Sequence, residues 1–387
     1  MAFFVISIFV DNSFIQCITK EIVTSKSFTT LAIETSCDDT SIALVSYRAW
    51  VFSVDMLLSY TQLAHQKRWW VVPELAARSH TIKLPELIDA VEVDRATIDA
   101  ISVTSHPWLP SALTVWVTVA HTLWTIHQKP VIHVNHIMGH VFSILAWRSL
   151  ESITLPYCCL TVSGGHNDIY LVEDIKTVQF PQYIQAHTVA KRNHLALWEH
   201  IDVGPYRVTK FAQTADDAAW EVFDKVARML WWPYPWWKWI QDTASDHGLA
   251  LLRSFSIPSW KEWVRSFSGL KSQVEQMIQS YKTQYQIESS DLLPSEIKEQ
   301  IAYNFQQAVA QWLSQWLEHV YDQYQRTTHH RIATIWVVWW VSANVSLRAH
   351  LERSGYSVLF PKEFVYCTDN AAMIWVVWCL QSGLLSL

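Results

Sequence analysis

The stretch Leu31–Ser46, LAIETSCDDTSIALVS, decides how the fold is read. Apolar and β-branched residues flank the polar run Ser36-Cys37-Asp38-Asp39-Thr40, a pattern that predicts strand, tight turn, strand. Tyr157–Val172, YCCLTVSGGHNDIYLV, repeats the design, with Ser163-Gly164-Gly165-His166 at its turn. Two such hairpins, each opening a run of alternating strands and helices, predict an α/β protein with duplicated halves across a cleft. Turns offering backbone N–H groups, hydroxyls and carboxylates from both sides suit a nucleotide phosphate and its Mg²⁺.

At 387 residues the chain exceeds one ordinary core. The expected division is an extension over 1–30, a first domain over 31–155 and a second over 156–387, with the last helix packing back on the first. The leading MAFFVISIFV is apolar but has no basic leader and is cut short by Asp11, so a disordered or wrongly assigned extension is expected ahead of a signal peptide. A net charge of −6 gives no general attraction to nucleic acid, so an RNA contact would need a local basic patch or a partner protein. The six cysteines form no Cys-x-x-Cys pair and read as reduced thiols of a cytoplasmic protein. No apolar run is long enough to span a bilayer, so no membrane partner is expected.

Between the hairpins, Pro130–Val134 reads as a strand, and Asn135-His136-Ile137-Met138-Gly139-His140 then opens a segment with helical spacing. His136 and His140 are four residues apart and share one helix face, where both imidazoles can reach one metal ion. The same spacing also suits two polar residues on a solvated face. Further on, residues 176–210 read as an irregular surface insertion. Thr214–Leu230 reads as a helix with Thr214 as N-cap and Asp216 and Asp217 in its first turn; Asp224 has no capping role. A long Gln-rich helical region over 272–326 breaks near Pro294. Arg331–Pro361 reads as strand, turn, helix, strand, an arrangement that holds a nucleoside at its turn. Asp369 lies near the start of the last helix.

Several motifs in one order resemble the TsaD/Gcp family, bacterial relatives of the Kae-type proteins. They are ETSCDDT (34–40), VVPELAARSH (71–80), VNHIMGH (134–140), VSGGH (162–166), DDAAWEVFDK (216–225), FSGLK (267–271), VSAN (341–344) and CTDNAAMI (367–374). The resemblance implies an actin-like, two-domain ATPase fold of the sugar-kinase/Hsp70 type. It implies transfer of threonylcarbamoyl from threonylcarbamoyl-AMP to N6 of the adenosine 3′ of the anticodon, in tRNAs reading codons that begin with A. The family's metal ligands fall on His136, His140 and Asp369, for one Fe²⁺ or alternatively Zn²⁺. Its substrate contacts fall on Thr161, Val162, Ser163, Gly164, Gly165, Asp224, Trp237 and Asn344. Implied partners are tRNA, TsaB-type and TsaE-type companion proteins, and a separate synthase that makes the adenylate. Asp38 is a candidate base or Mg²⁺ anchor, or simply a cap for its turn.

A glycoprotease reading competes, but a zinc protease uses His-Glu-x-x-His, and Ile-Met-Gly separates these histidines. An inactive scaffold would have lost the ligands, which are present. Met138 replaces the acid the family usually has there, and Ser111 stands where it prefers glycine. The chain holds 8 Gly and 23 Trp, against roughly 27 glycines for an ordinary composition of this length. Family glycines align with Trp69, Trp70, Trp108, Trp116, Trp220, Trp231, Trp236, Trp237, Trp339 and Trp340. Glycine serves there for positive φ or close backbone approach, and an indole conflicts with both. The expectation is a UGA codon that means glycine in the source lineage and is written as tryptophan. A decayed or engineered paralogue is the alternative.

Overall fold

The computed structural model describes residues 27–48, 51–62, 72–91, 97–107, 110–148, 153–162, 167–177, 197, 199–232, 240, 255 and 264–381. In the first half, β1 (Ser27–Glu34), β2 (Asp39–Arg48) and β3 (Val51–Thr61) form an antiparallel meander, and α1 (Pro73–Asp89) follows. Then come β4 (Ala100–His106), α2 (Pro110–His127) and β5 (Val131–Asn135). β4 lies parallel to β1 and β5 parallel to β4, giving the order β3-β2-β1-β4-β5. The first strand begins at Ser27, ahead of Leu31 where the pattern was expected to start.

A short helix α3 (His136–Phe142) leads into the second half. There β6 (Tyr157–Val162) and β7 (Asn167–Asp174) make the second hairpin, and β9 (Tyr206–Thr214) pairs antiparallel with β7. β8 (His200–Val203) pairs with β9 at one side, and β10 (Val264–Arg265) continues the sheet edge beside β9. After α4 (Ala219–Met229), α5 (Ser268–Tyr285) and α6 (Ser295–Thr328), β11 (Thr334–Val338) lies parallel to β6. α7 (Val345–Glu352), β12 (Val358–Leu359, parallel to β11) and α8 (Ala372–Gln381) complete the chain.

The strand path β9-β7-β6-β11-β12 repeats β3-β2-β1-β4-β5, with the same sense at every pairing. This is the two-domain, duplicated α/β architecture of the actin-like class, with helices packed on mixed sheets. β1, β2, β6 and β7 are buried almost throughout, as strands covered on both faces must be.

Two local expectations fail for stated reasons. Thr214 does not cap a helix: it ends β9, and its hydroxyl accepts the Asn167 N–H at 3.2 Å. α4 begins later, after Ala218; Asp216 instead accepts from Phe267 N–H, and Asp217 pairs with Lys225. Residues 176–210 are also not wholly irregular. β8 and the start of β9 lie there, where the run HIDVGPYRV alternates around a tight turn at Gly204; residues 178–196 lie outside the described residues.

Gly204 has φ +58, and an added Cβ would stand 2.1 Å from the Leu380 carbonyl oxygen of α8. The turn therefore needs glycine twice, for its left-handed backbone and for the close approach of α8. Gly204→Ala is expected to cost about 3–5 kcal/mol, from left-handed strain plus overpacking against backbone that cannot yield. A urea midpoint within error of the parent would refute it.

α8 is buried from Ala372 to Leu380 and packs back on the first half. Trp378 stacks on Phe28 of β1 at 4.4 Å, and Ala371 N–H donates to Ser41 Oγ of β2 at 3.1 Å. Because α8 closes against both sheets, the residues just before it stand where the halves meet.

Candidate metal centre

Asn135 ends β5 in extended backbone and caps α3, its side chain accepting Met138 N–H at 3.2 Å. The cap places His136 at the first helical position and His140 one turn on, on the same face. Every residue of α3 is buried, so the solvated-face reading does not hold. Gly139 explains how α3 lies so close to α8: a Cβ there would meet Ile374 Cδ1 at 3.0 Å and Met373 Cγ at 3.2 Å. That approach brings Asp369, just before α8, against both imidazoles.

His140 Nε2 lies 3.0 Å from Asp369 Oδ1, and His136 Nε2 lies 3.8 Å from the same oxygen. One donor atom from each of the three fits within 4.8 Å, and all three residues are buried. Two imidazole nitrogens and a carboxylate oxygen are the donor set for iron or zinc with open coordination positions. Electrostatics agrees. Burial pushes Asp369 up to about 6, with His136 and the Trp339 indole pulling the other way. Burial and the neighbouring His136 hold His140 well below the usual imidazole range. Burial also works against charge on His136, yet Glu34 and Asp369 outweigh it and raise its pKa. The pocket thus favours positive charge between its carboxylates, which a divalent cation supplies.

Glu34 is a residue the sequence reading passed over. It ends β1 fully buried, and its Oε2 lies 3.2 Å from His136 Nδ1. Burial would raise its pKa, but the His136 charge and hydrogen bonds from His136, Ser36 and Thr104 hold it near 2. His80 was missed too: its Nε2 donates to the Cys37 carbonyl at 3.0 Å, and its Nδ1 lies 2.8 Å from Thr40 Oγ1. It clamps both ends of the acidic turn. For Glu34 the available signal was a carboxylate closing the apolar run LAIE; His80, closing the mixed run ELAARSH, carried no such signal.

The acidic turn reaches this centre. Burial raises the Asp39 pKa well above the carboxylate range, with the charges of Asp38 and Asp369 adding to it. Asp38 is half-buried, and its carbonyl accepts Gln62 N–H at 3.2 Å. Across in the second half, Asp224 on α4 is half-buried and pushed up to about 7, first by burial and then by Glu221 and Asp38, against the pull of Arg228. The charge of Asp38, in the first half of the chain, thus bears on Asp224 in the second.

The remaining candidates divide. Thr161 and Val162 are buried at the end of β6, where Thr161 Oγ1 donates to the Asp168 carbonyl at 3.2 Å. Asn344 caps α7 by accepting Leu347 N–H at 3.0 Å and donates to Gln306 Oε1 at 2.8 Å, so its amide is engaged within the protein. Ser163, Gly164, Gly165 and Trp237 lie outside the described residues. Met138 is 1% exposed and packed in the core, so the position between the histidines supplies no base.

Trp339 stands in the centre itself. Its backbone has φ 75 and ψ −175, a region that essentially only glycine populates. Its ring stacks on His140 at 3.7 Å and meets His136 edge-on at 5.1 Å. Its indole N–H donates to the Asp369 carboxylate. Trp231 is also left-handed, at φ 59, and Trp116 buries an indole N–H with no hydrogen-bond partner among the described residues. Trp69, Trp70, Trp108, Trp236 and Trp237 lie outside the described residues, as do the side chains of Trp220 and Trp340.

Burial of Asp224 carries a pH signature. A carboxyl titrating near 7 when folded and near 4 when unfolded binds more protons in the folded state between those values. Stability should therefore fall as pH rises from about 4 to about 7. Asp224→Asn is expected to flatten that fall and gain about 1–2 kcal/mol at pH 8, the figure reduced for solvent screening. An unchanged pH–stability slope in urea titrations would count against it.

The sequence profile described as "TsaD: tRNA N6-adenosine threonylcarbamoyltransferase" matches residues 56–186 and 190–376. The tRNA N6-adenosine threonylcarbamoyltransferase of Trichodesmium erythraeum is 34% identical over 364 residues, covering 89% of this chain and 97% of its own. That of Synechocystis is 35% identical over 358 residues, covering 89% and 88%. Among solved structures, full-length HypF in its phosphate- and nucleotide-bound form aligns with TM-score 0.48 at 11% identity, over 93% of this chain and 47% of that one.

Proposed function

Because the chain belongs to the TsaD family, tRNA N6-adenosine threonylcarbamoyltransferase, we infer that the centre at His136, His140 and Asp369 serves that transfer. The chain is an acyltransferase that modifies tRNA by placing threonylcarbamoyl on N6 of an adenosine. In the finer reading, the adenosine is the one 3′ of the anticodon in tRNAs reading codons that begin with A, and the donor is threonylcarbamoyl-AMP. The observation that supports it is the convergence of three buried ligand atoms, two from α3 and one from the residue just before α8.

The adenosine N6 attacks the carbamoyl carbon, the C–N bond forms, the mixed-anhydride C–O bond breaks and AMP leaves. The proton lost from N6 passes to Asp38, half-buried at the domain junction. Thr161, Val162, Ser163, Gly164 and Gly165 are assigned to the adenylate phosphate, and Asp224, the residue at 237 and Asn344 to the nucleoside. The alternative role for Asp38, in place of base, is to anchor Mg²⁺ held by a nucleotide. When bound at His136, His140 and Asp369, one divalent cation supplies Lewis-acid polarisation of a substrate oxygen. Iron is the assigned metal and zinc the alternative.

In the same reading, companion proteins of the TsaB and TsaE types and a separate synthase that makes the adenylate complete the system, and the enzyme works in the cytoplasm. Among the described residues, no helix is long and apolar enough to cross a membrane. The domain boundary falls between 155 and 156. Positions where the family has glycine and this chain reads tryptophan carry glycine when the gene is decoded in its own lineage. The Trp339 backbone, at φ 75 and ψ −175, supports that assignment.

The test is reconstitution of the glycine-decoded chain with its companions, threonine, bicarbonate, ATP and unmodified tRNA. Threonylcarbamoyladenosine in digested tRNA is the expected product. Its absence in a mixture where a related enzyme succeeds would overturn the reading.

A further inference from the structure

We propose that Glu34 is the positioning residue of the metal centre, orienting His136 so that its Nε2 lone pair meets the cation. The inference rests on reading His136, His140 and Asp369 as the ligands, and goes on to say what sets their geometry. Glu34 is fully buried at the end of β1, and both its oxygens are engaged. Oε1 accepts Ser36 N–H at 2.6 Å, which ties the carboxylate to the start of the acidic turn. Oε2 accepts from Thr104 Oγ1 on β4 and lies 3.2 Å from His136 Nδ1. Ser36 Oγ approaches the same nitrogen at 3.0 Å.

His136 Nδ1 thus faces a carboxylate, which requires a proton on that nitrogen. The tautomer this selects leaves the lone pair on Nε2, the atom 3.8 Å from Asp369 Oδ1. A carboxylate behind a ligating imidazole also raises its basicity as a ligand. Among the described residues no arginine or lysine pairs with Glu34, so the His136 imidazole is the group its buried carboxylate faces. β1, β4 and α3 all contribute, so the ring is fixed by sheet and helix rather than by a loop.

The measurement is zinc and cobalt binding to the full-length chain, by competition with a chromophoric chelator. The parent should bind one equivalent. Glu34→Gln, nearly isosteric, should weaken binding about 10–100-fold and change the cobalt d–d spectrum, with the melting temperature of the metal-stripped protein little altered. Glu34→Asp, which keeps the charge at a shorter reach, should recover part of the affinity. Should Glu34→Gln fail to fold, Thr104→Val loosens the same carboxylate from β4 and should weaken binding in the same direction. Equal affinity and an unchanged cobalt spectrum in a folded variant would overturn the role of Glu34 alone. A parent that binds no metal would overturn the centre and the positioning role together.

Discussion

Trp339→Gly is expected to raise metal affinity about 10–100-fold and turnover with it. The indole holds the Asp369 carboxylate by a hydrogen bond and covers the His140 ring at 3.7 Å. A ligand must leave that bond before it can serve a cation, and hydrogen bonds to charged groups contribute about 1.5–3 kcal/mol. Stability should move less, because two effects oppose. Relief of backbone strain contributes about 1–3 kcal/mol, while a ring only 5% exposed is lost from the core. Trp339→Ala separates bulk from backbone: it opens the site but keeps a Cβ at φ 75. If strain matters, the alanine variant melts below the glycine one; equal melting would show that only bulk counts. A glycine variant no better than the parent in metal binding would refute the obstruction. The intact mass of the protein purified from its own lineage reads the residue directly, and tryptophan at 339 would sink the decoding argument.

The fold was legible because its two hairpins are buried on both faces, so their apolar runs survive in sequence whatever stands at the glycines. LAIETSCDDTSIALVS and YCCLTVSGGHNDIYLV became β1–β2 and β6–β7, and the repeated strand order followed. Asp369 was legible only through family resemblance, because more than two hundred residues of chain separate it from the histidines. Proximity there is made by Gly139, which lets α3 rest on α8. Glu34 was not legible as a partner of His136, since nothing local pairs the end of β1 with the start of α3. The parallel β1-β4-β5 order makes that pair. Thr214 misled because a threonine before acids fits an N-cap, while the tertiary demand for a sheet partner to Asn167 prevailed. Asn344 shows the converse: a motif residue whose side chain makes a helix cap and a hydrogen bond to Gln306.

His140→Ala should reduce turnover about 10³-fold or more and leave well under one equivalent of bound metal. His140 is fully buried, and its Nε2 lies 3.0 Å from Asp369 Oδ1, nearer than the 3.8 Å of His136 Nε2. Losing a cation that polarises the substrate oxygen removes several kcal/mol of transition-state stabilisation, and about 4 kcal/mol is a thousandfold. The fold should persist. Asp369 already titrates near 6, so without its partner it can take a proton and remain buried as a neutral acid. His121→Ala is the control. His121 Nε2 lies 3.2 Å from His133 Nε2, a histidine pair that belongs to no group of three possible metal ligands among the described residues. If metal content followed His121 and not His140, the centre would be misplaced. If both variants kept metal while only His140→Ala lost turnover, the imidazole itself would be the working group, acting on substrate as an acid or base. The two histidines share residue type and chain neighbourhood, and differ in burial and in having Asp369 at hand; that difference is what the pair of variants measures.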